Sequence, residues 1–342
     1  MVVTADLAGE YLRINRALTE ALGIAASDVA TLVAEPLGSG EHNANFVFAR
    51  PADGRRFVLR VNYSSQMGLQ DQIGYEYEAL RLLEPSGCTP KALYVDRSKD
   101  FYGHGVLVIE HCPGRHLDFT APGHVEQAAR MMADVHSVRA GDDCPLVRPA
   151  DPLRAQFEEC VGHAACYRAS NLQSSMVNRY LDRMLARACD MLDIPLDAAD
   201  SCHILNTEAV PSHFLIPDDG SRGHFLDWEK PILGEVAQDV AYFLSPTTTI
   251  WDTDFIFDMD QRAAFLDTYW EAVDGRFGKG GFERRFEAYV VMNCLRGITW
   301  SARAWVEYHD PARPLKNAKT FELLKTYLSE EYLEMVCQRH FG

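Results

Sequence analysis

The 342 residues carry 33 Lys and Arg against 49 Asp and Glu, a formal charge of −16, with 47% hydrophobic and 24% charged residues. These proportions are those of an ordinary globular chain with room for a large core and two domains or lobes, and they exclude disorder. The acidic balance argues against nucleic acid and anionic membranes as partners, since both need a basic face, and favours a cationic or neutral small molecule.

No stretch approaches twenty consecutive apolar residues, and Asp6, Glu10, Arg13 and Arg16 stand where a secretory signal would be apolar, so the chain is expected to stay in the cytoplasm. The nine cysteines include no CxxC pair and read as buried reduced thiols. Leu7, Tyr11, Leu12, Ile14, Leu18 and Leu22 share one face of an amphipathic helix expected over Asp6 to Leu22. From Thr31 to Asn62 short Val- and Phe-rich runs alternate with turn residues, which predicts an antiparallel meander. Between its first two runs lie Gly38, Ser39, Gly40, Glu41, His42 and Asn43. A glycine-bearing connection of this kind can lie over phosphates with its amides inward, or it can be a plain β-turn.

Tyr75 to Leu83 is helical in pattern, and Gly105 to Glu110 is an apolar strand running into His111, Cys112, Pro113 and Gly114. Beyond it the chain turns helical, with Thr120 and Pro122 as a start signal and apolar spacing kept through Ser137. His136 on that helix reads as a core residue. A further helix is expected over Ser175 to Leu192, and long amphipathic patterns over Phe282 to Trp305 and Thr320 to Val336. Asp252, Asp254, Asp258 and Asp260 lack the glycine and ligand spacing of a calcium loop; they read as helix-capping and solvated carboxylates or as an acidic rim.

The stretch Cys202 to Lys230 concentrates the chemistry. Phe214 to Ile216 and Phe225 to Leu226 are two apolar runs around the turn Pro217 to Gly220, a β-hairpin with Asp227 at its exit. Pro211 forbids a helix from continuing past Glu208, which therefore lies on a loop beside the hairpin. A loop carboxylate and an Asp at the hairpin end could orient a hydroxyl and hold metal on a nucleotide's phosphates.

In spacing this stretch resembles the catalytic core of aminoglycoside phosphotransferases and choline kinase-like small-molecule kinases, whose loop reads HxDxxxxN before a hairpin ending in DWE. Asp227, Trp228 and Glu229 stand as DWE, while Asn206, Glu208 and His213 occupy the loop's His, Asp and Asn positions. Covering about Leu37 to Trp305, the resemblance implies a protein kinase-like α+β fold with two lobes. The small N-terminal sheet, with its leading helix, would occupy residues 1–110, and the larger, mainly helical lobe 111–342. It implies ATP or GTP as phosphoryl donor, Mg²⁺ or Mn²⁺ as the metal, and a hydroxyl-bearing small molecule as acceptor.

Residue by residue, the resemblance makes Glu208 the catalytic carboxylate and Asp227 and His213 the metal-holding pair, with Glu229 and Asp239 supporting them. Gly38, Ser39, Gly40 and Asn43 would cover the phosphates. Arg60 would replace the strand lysine and pair with Glu76, and the backbone from Glu110 to Cys112 would read the adenine edge. A pseudokinase, binding nucleotide without transfer, is the alternative, because the loop has lost its Asp and Asn.

Overall fold

The computed structural model describes residues 3–39, 42–196, 202–311, 313 and 316–341. By packing the chain forms two units, one of Met1–Arg115, Asp142–Leu146 and Leu215–Pro231, the other of His116–Gly141, Val147–Phe214 and Ile232–Gly342. The segment 215–231 thus packs with the sheet and not, as the sequence reading had it, with the helical lobe.

The first unit is built on an antiparallel sheet of β1 (Glu35–Ser39), β2 (Asn43–Ala49), β3 (Arg56–Asn62), β4 (Ala92–Asp96) and β5 (Gly105–Glu110), in the order β1-β2-β3-β5-β4. Alternate residues of a strand face opposite sides. Phe57, Leu59 and Val61 accordingly enter one buried cluster with Phe46, Phe48, Val106 and Val108, together with Tyr11, Leu12 and Leu18 from the N-terminal segment. Burying each Phe or Leu fully is worth about 1.5–3 kcal/mol, so this cluster fixes the sheet's register. That segment is not the single helix expected but two, α1 (Ala5–Ile14) and α2 (Arg16–Ala21). Asn15 separates them: its backbone is extended and its side chain accepts from the amide of Leu18 at 3.0 Å, a local bond that competes with helix continuation. β4 was not anticipated. On β4 and β5 packs α3 (Gln72–Leu83), capped by Asp71.

The hairpin expected in the catalytic stretch is present as strands Phe214–Ile216 and His224–Phe225. Phe225 donates its amide to the carbonyl of Cys88 at 2.7 Å, and the buried Trp228 donates its indole N–H to the carbonyl of Phe225 at 2.9 Å. Trp228 is thus a packing anchor between Asp227 and Glu229.

The second unit is helical: α4 (His124–His136), α5 (Pro152–Arg168), α6 (Ser175–Cys189), α7 (Val236–Leu244), α8 (Pro246–Asp252), α9 (Met259–Val273), α10 (Phe282–His309), α11 (Ala318–Tyr327) and α12 (Glu330–His340). The 28-residue α10 packs along α5, α6 and α7, and α4 packs against α9. A short strand pair, His203–Leu205 with Ile232–Gly234, flanks the loop that carries Glu208. The continuous pattern from Thr320 to Val336 is broken in two, because Ser329 is extended and caps α12 by accepting from Tyr332 N–H. Of the acidic cluster, Asp258 caps α9 in a reciprocal bond pair with Gln261. The thiol expectation holds for Cys88, Cys112, Cys160, Cys294 and Cys337, whereas Cys166, Cys189 and Cys202 are exposed. Among the described residues, no helix is long and apolar enough to cross a membrane. An antiparallel sheet unit and a helical unit together make the two-lobed α+β fold.

Candidate functional site

In the first unit the chemistry gathers around Arg60, which projects from β3. Its Nη1 donates to Glu76 of α3 and, at 3.0 Å, to Asp227 Oδ1, while its Nε donates to Asn45 Oδ1 at 3.1 Å. The expected Arg60–Glu76 pair is therefore formed, and Asp227 joins it. Asp227 sits in the left-handed region, φ 60°, a conformation that Asp tolerates better than most residues and that turns its carboxylate away from the line of the hairpin. Glu76 is 1% exposed, and its Oε2 is buried with no hydrogen bond among the described residues. Burial pushes its carboxyl up to about 7, with Arg60 opposing and Asp227 reinforcing the rise. A carboxyl that holds its proton more tightly folded than unfolded stabilises the fold below the ordinary carboxylate range and loses that contribution as pH rises through about 7. Glu76→Gln should therefore flatten the decline of the melting temperature between about pH 5 and 8; an unchanged slope would remove Glu76 as its source.

Glu229 is clasped by the start of β2. Its carboxylate accepts from Asn43 Nδ2, its backbone carbonyl accepts from Gln72 Nε2 at 2.5 Å, and Asn62 Nδ2 donates to Asn43 Oδ1 at 2.9 Å. The end of the glycine-bearing connection is thus tied to the DWE segment. Gly38, with φ 154°, lies at an irregularity in the β1–β2 register, and a Cβ there would meet open space, so its backbone and not crowding calls for glycine. Ser39 ends β1, and Gly40 lies outside the described residues. At the end of β5 the amide of Glu110 is taken by the carbonyl of Lys91 at 2.9 Å, and its side chain pairs with Arg55 at 3.1 Å. The Glu110 carbonyl accepts weakly from the Cys112 thiol at 3.9 Å. The Cys112 thiol itself is buried and pushed up to about 12, which makes it inert.

In the second unit Asp239, fully buried on α7, accepts from two successive loop amides, Asn206 N–H at 2.6 Å and Thr207 N–H at 2.8 Å. His136 backs the same carboxylate, with Nε2 3.4 Å from Oδ2 and Nδ1 2.8 Å from the hydroxyl of Tyr269. The core reading of His136 is right about burial, but its partner is the residue that holds the loop. Thr207 is left-handed, φ 68°, which a β-branched residue adopts only under strong constraint. Asn206 Oδ1 accepts from the amide of Glu208 at 3.1 Å, and the carboxylate of Glu208 accepts from Arg296 Nη2 at 2.9 Å. His213 closes a single 3-10 turn, its amide donating to Val210 O at 3.0 Å.

A family model described as "Phosphotransferase enzyme family" matches residues 33–284, well over half of the chain. The chain belongs to this family. Its fold is similar to choline kinase from Cryptosporidium parvum, with a TM-score of 0.67 and 11% identity over 98% of this chain and 97% of that one. It is also similar to spectinomycin phosphotransferase in complex with ADP and spectinomycin, at TM-score 0.65 and 10% identity over 100% of both chains. Plasmodium vivax ethanolamine kinase gives TM-score 0.62 and 14% identity over 93% of this chain and 84% of that one. A comparison with curated proteins gave no match.

For a phosphotransferase, the donor chemistry can be judged from the residues present. Among the described residues no cluster of three or more His, Cys, Asp and Glu is disposed to hold a metal ion. The Asp227 carboxylate, 28% exposed, suits a hard, oxygen-seeking cation, whereas the imidazole of His213 does not. Sequence reasoning missed Asn45, Gln72, Arg296 and, on α5, Glu159, whose Oε2 lies 3.3 Å from Arg296 Nε. None of these lies in a motif, and each meets its partner only through tertiary packing.

Proposed function

We propose that this phosphotransferase moves the terminal phosphoryl group of ATP or GTP to a hydroxyl of a cationic or neutral small molecule. The observation that carries this reading is the bridge of Arg60 to both Glu76 and Asp227, which pre-orients a guanidinium fork beside the carboxylate suited to a metal. Arg60 would meet the phosphates in place of a lysine, with the strand from Gly38 and the Asn43–Glu229 clasp above them. The Glu110 carbonyl and Cys112 amide would read the base. A divalent ion, Mg²⁺ or Mn²⁺, would be held by Asp227 and would neutralise phosphate charge. His213 contributes little to a magnesium site by its chemistry.

In the transfer the acceptor oxygen forms a bond to the terminal phosphorus, the bond from that phosphorus to the bridging oxygen breaks, and the hydroxyl proton passes to the Glu208 carboxylate. Glu208 is suited to this because Asp239 and Asn206 fix the loop that presents it. Of the charged side chains grouped there, Glu208 and Glu159 outnumber Arg296, which supports an acceptor bearing an amine. The similar structures named for choline, ethanolamine and spectinomycin, all nitrogen-bearing alcohols, point the same way.

A screen of amino alcohols, aminoglycosides and sugars by nucleotide consumption, with ATP and GTP and with Mg²⁺ and Mn²⁺, tests it. Acceptor-dependent consumption is expected for at least one amine-bearing alcohol. Nucleotide binding without transfer to any acceptor would favour the pseudokinase reading instead.

A further inference from the structure

We propose that the cavity between α4 and α9 is a second small-molecule site, one that binds an organic ammonium ion with an apolar body. The inference does not use the role given to Glu208, and no residue of the loop from Asn206 to His213 lines this cavity. Its volume of about 290 Å³ suits a small molecule. Phe119, Phe255, Phe257 and Phe265 wall it together with Val125 and Ala264, and Glu126 and Gln261 are among its polar residues.

The rings are arranged in two ways. Phe257 and Phe265 are buried, 6% and 2% exposed, and both join Phe243 of α7 in the core. Phe119 and Phe255 are only half-buried. They stack on each other, 4.4 Å between centroids and 8° between planes, and Phe257 stands perpendicular to both at 5.4 and 4.9 Å. Large rings left half-buried beside a cavity keep apolar area that a ligand can still remove from water. The face of an aromatic ring carries the negative part of its quadrupole, so the same walls that take an apolar body also attract a cation.

The charges around the cavity select the same ligand. The two segments that supply most of its lining, 117–130 and 253–268, carry Asp118, Glu126, Asp254, Asp258, Asp260 and Asp267 against Arg130 and Arg262. Arg262 is turned to Glu287 at 3.6 Å and to the ring of Phe286. Among the described residues that line the cavity none is Lys, Arg or His, so no cation of the protein occupies the ring faces. Glu126 is exposed, and its side chain makes no hydrogen bond or ion pair among the described residues. One feature opposes a cation: α4 begins at Gly123 without a side-chain cap, and a helix N-terminus carries roughly half a positive charge. Glu126 in that first turn and the acidic excess of the two segments outweigh it. The acidic residues from Asp254 to Asp260 thus include both a helix cap, Asp258, and the rim of a site for a positive ligand.

Three probes of similar size test this on the full-length chain without nucleotide or metal: 2-phenylethylammonium, 2-phenylethanol and 3-phenylpropionate. Binding is read by calorimetry and by ¹⁹F spectra of the chain labelled with 4-fluorophenylalanine, in which the signals of residues 119 and 255 are identified by their loss in Phe119→Leu and Phe255→Leu. Phenylethylammonium should move both signals and bind at least about fivefold tighter than the alcohol, with the propionate weakest. Glu126→Gln should weaken the ammonium about threefold and leave the alcohol unchanged, and Phe255→Leu should weaken the ammonium about fivefold. Glu208→Gln should bind it as wild type does. No binding of the ammonium tighter than about 10 mM, or signals of residues 119 and 255 that it does not move, would overturn the proposal. So would propionate binding as tight as the ammonium, which would make the cavity an anion site of the α4 terminus, or a loss of ammonium binding in Glu208→Gln, which would place the probe at the acceptor loop. Should the Phe variants not fold, the order of the three probes on wild type and on Glu126→Gln decides.

Discussion

Glu208→Gln is expected to lower turnover on the order of 10²-fold or more while nucleotide affinity stays within about threefold, as for loss of a positioned general base. The substitution is close to isosteric. The amide oxygen of Gln can still accept from Arg296 Nη2, and the loop stays pinned by Asp239 and Asn206, so the protein should remain folded and the loss should report proton acceptance. Glu208→Asp keeps the charge but shortens the arm, and it cannot hold the 2.9 Å bond to Arg296 without moving one partner. It should retain part of the rate. Steady-state kinetics on the acceptor found by the screen, paired with calorimetry for nucleotide, separates the two effects. Full turnover in Glu208→Gln would sink the assignment of Glu208 as the proton acceptor.

Asp227→Asn is expected to abolish the metal dependence of nucleotide binding. With metal present, affinity should weaken roughly 10²-fold, the upper range for disturbing the groups that hold an ion. With the metal chelated, the variant should bind nucleotide as tightly as wild type or more tightly, because a carboxylate that repels phosphate is gone and Arg60 has one negative charge fewer beside it. The opposed signs distinguish loss of a metal-holding group from general damage, which would weaken binding in both conditions. Calorimetry with and without chelator reads both. A variant that keeps the wild-type metal dependence would remove Asp227 from the metal site.

Several parts of this molecule were legible in the residues alone. The order of elements, strands before helices with the hairpin and DWE far along the chain, was carried by periodicity and turn residues, because each is a local property of backbone geometry. The pairing of Arg60 with Glu76 came only from the family resemblance, since the residues by themselves left Glu76 equally readable as a solvated helix carboxylate. Boundaries were less legible where a single side chain decides them. Asn15 and Ser329 each turn a continuous apolar pattern into two helices by capping, and the apolar periodicity runs through the break unchanged.

What only the tertiary structure decided is which charges meet. Asp227 reaches Arg60 across 167 residues, Asn43 reaches Glu229 across 186, and Arg296 reaches Glu208 across 88. A charged residue on a helix or strand carries no local mark of its partner: nothing singles out Arg296 within the amphipathic pattern from Phe282 to Trp305, and His136 reads as a core histidine. Their roles arise because packing removes water from around them, and a charge or ring nitrogen taken out of water must find a partner wherever the fold supplies one. The sequence by itself settled that a carboxylate stands on the loop and another at the hairpin exit. The packing of α5, α7 and α10 settled that the first is held by Asp239 and Arg296, and the sheet settled that the second is shared with Arg60 and Glu76.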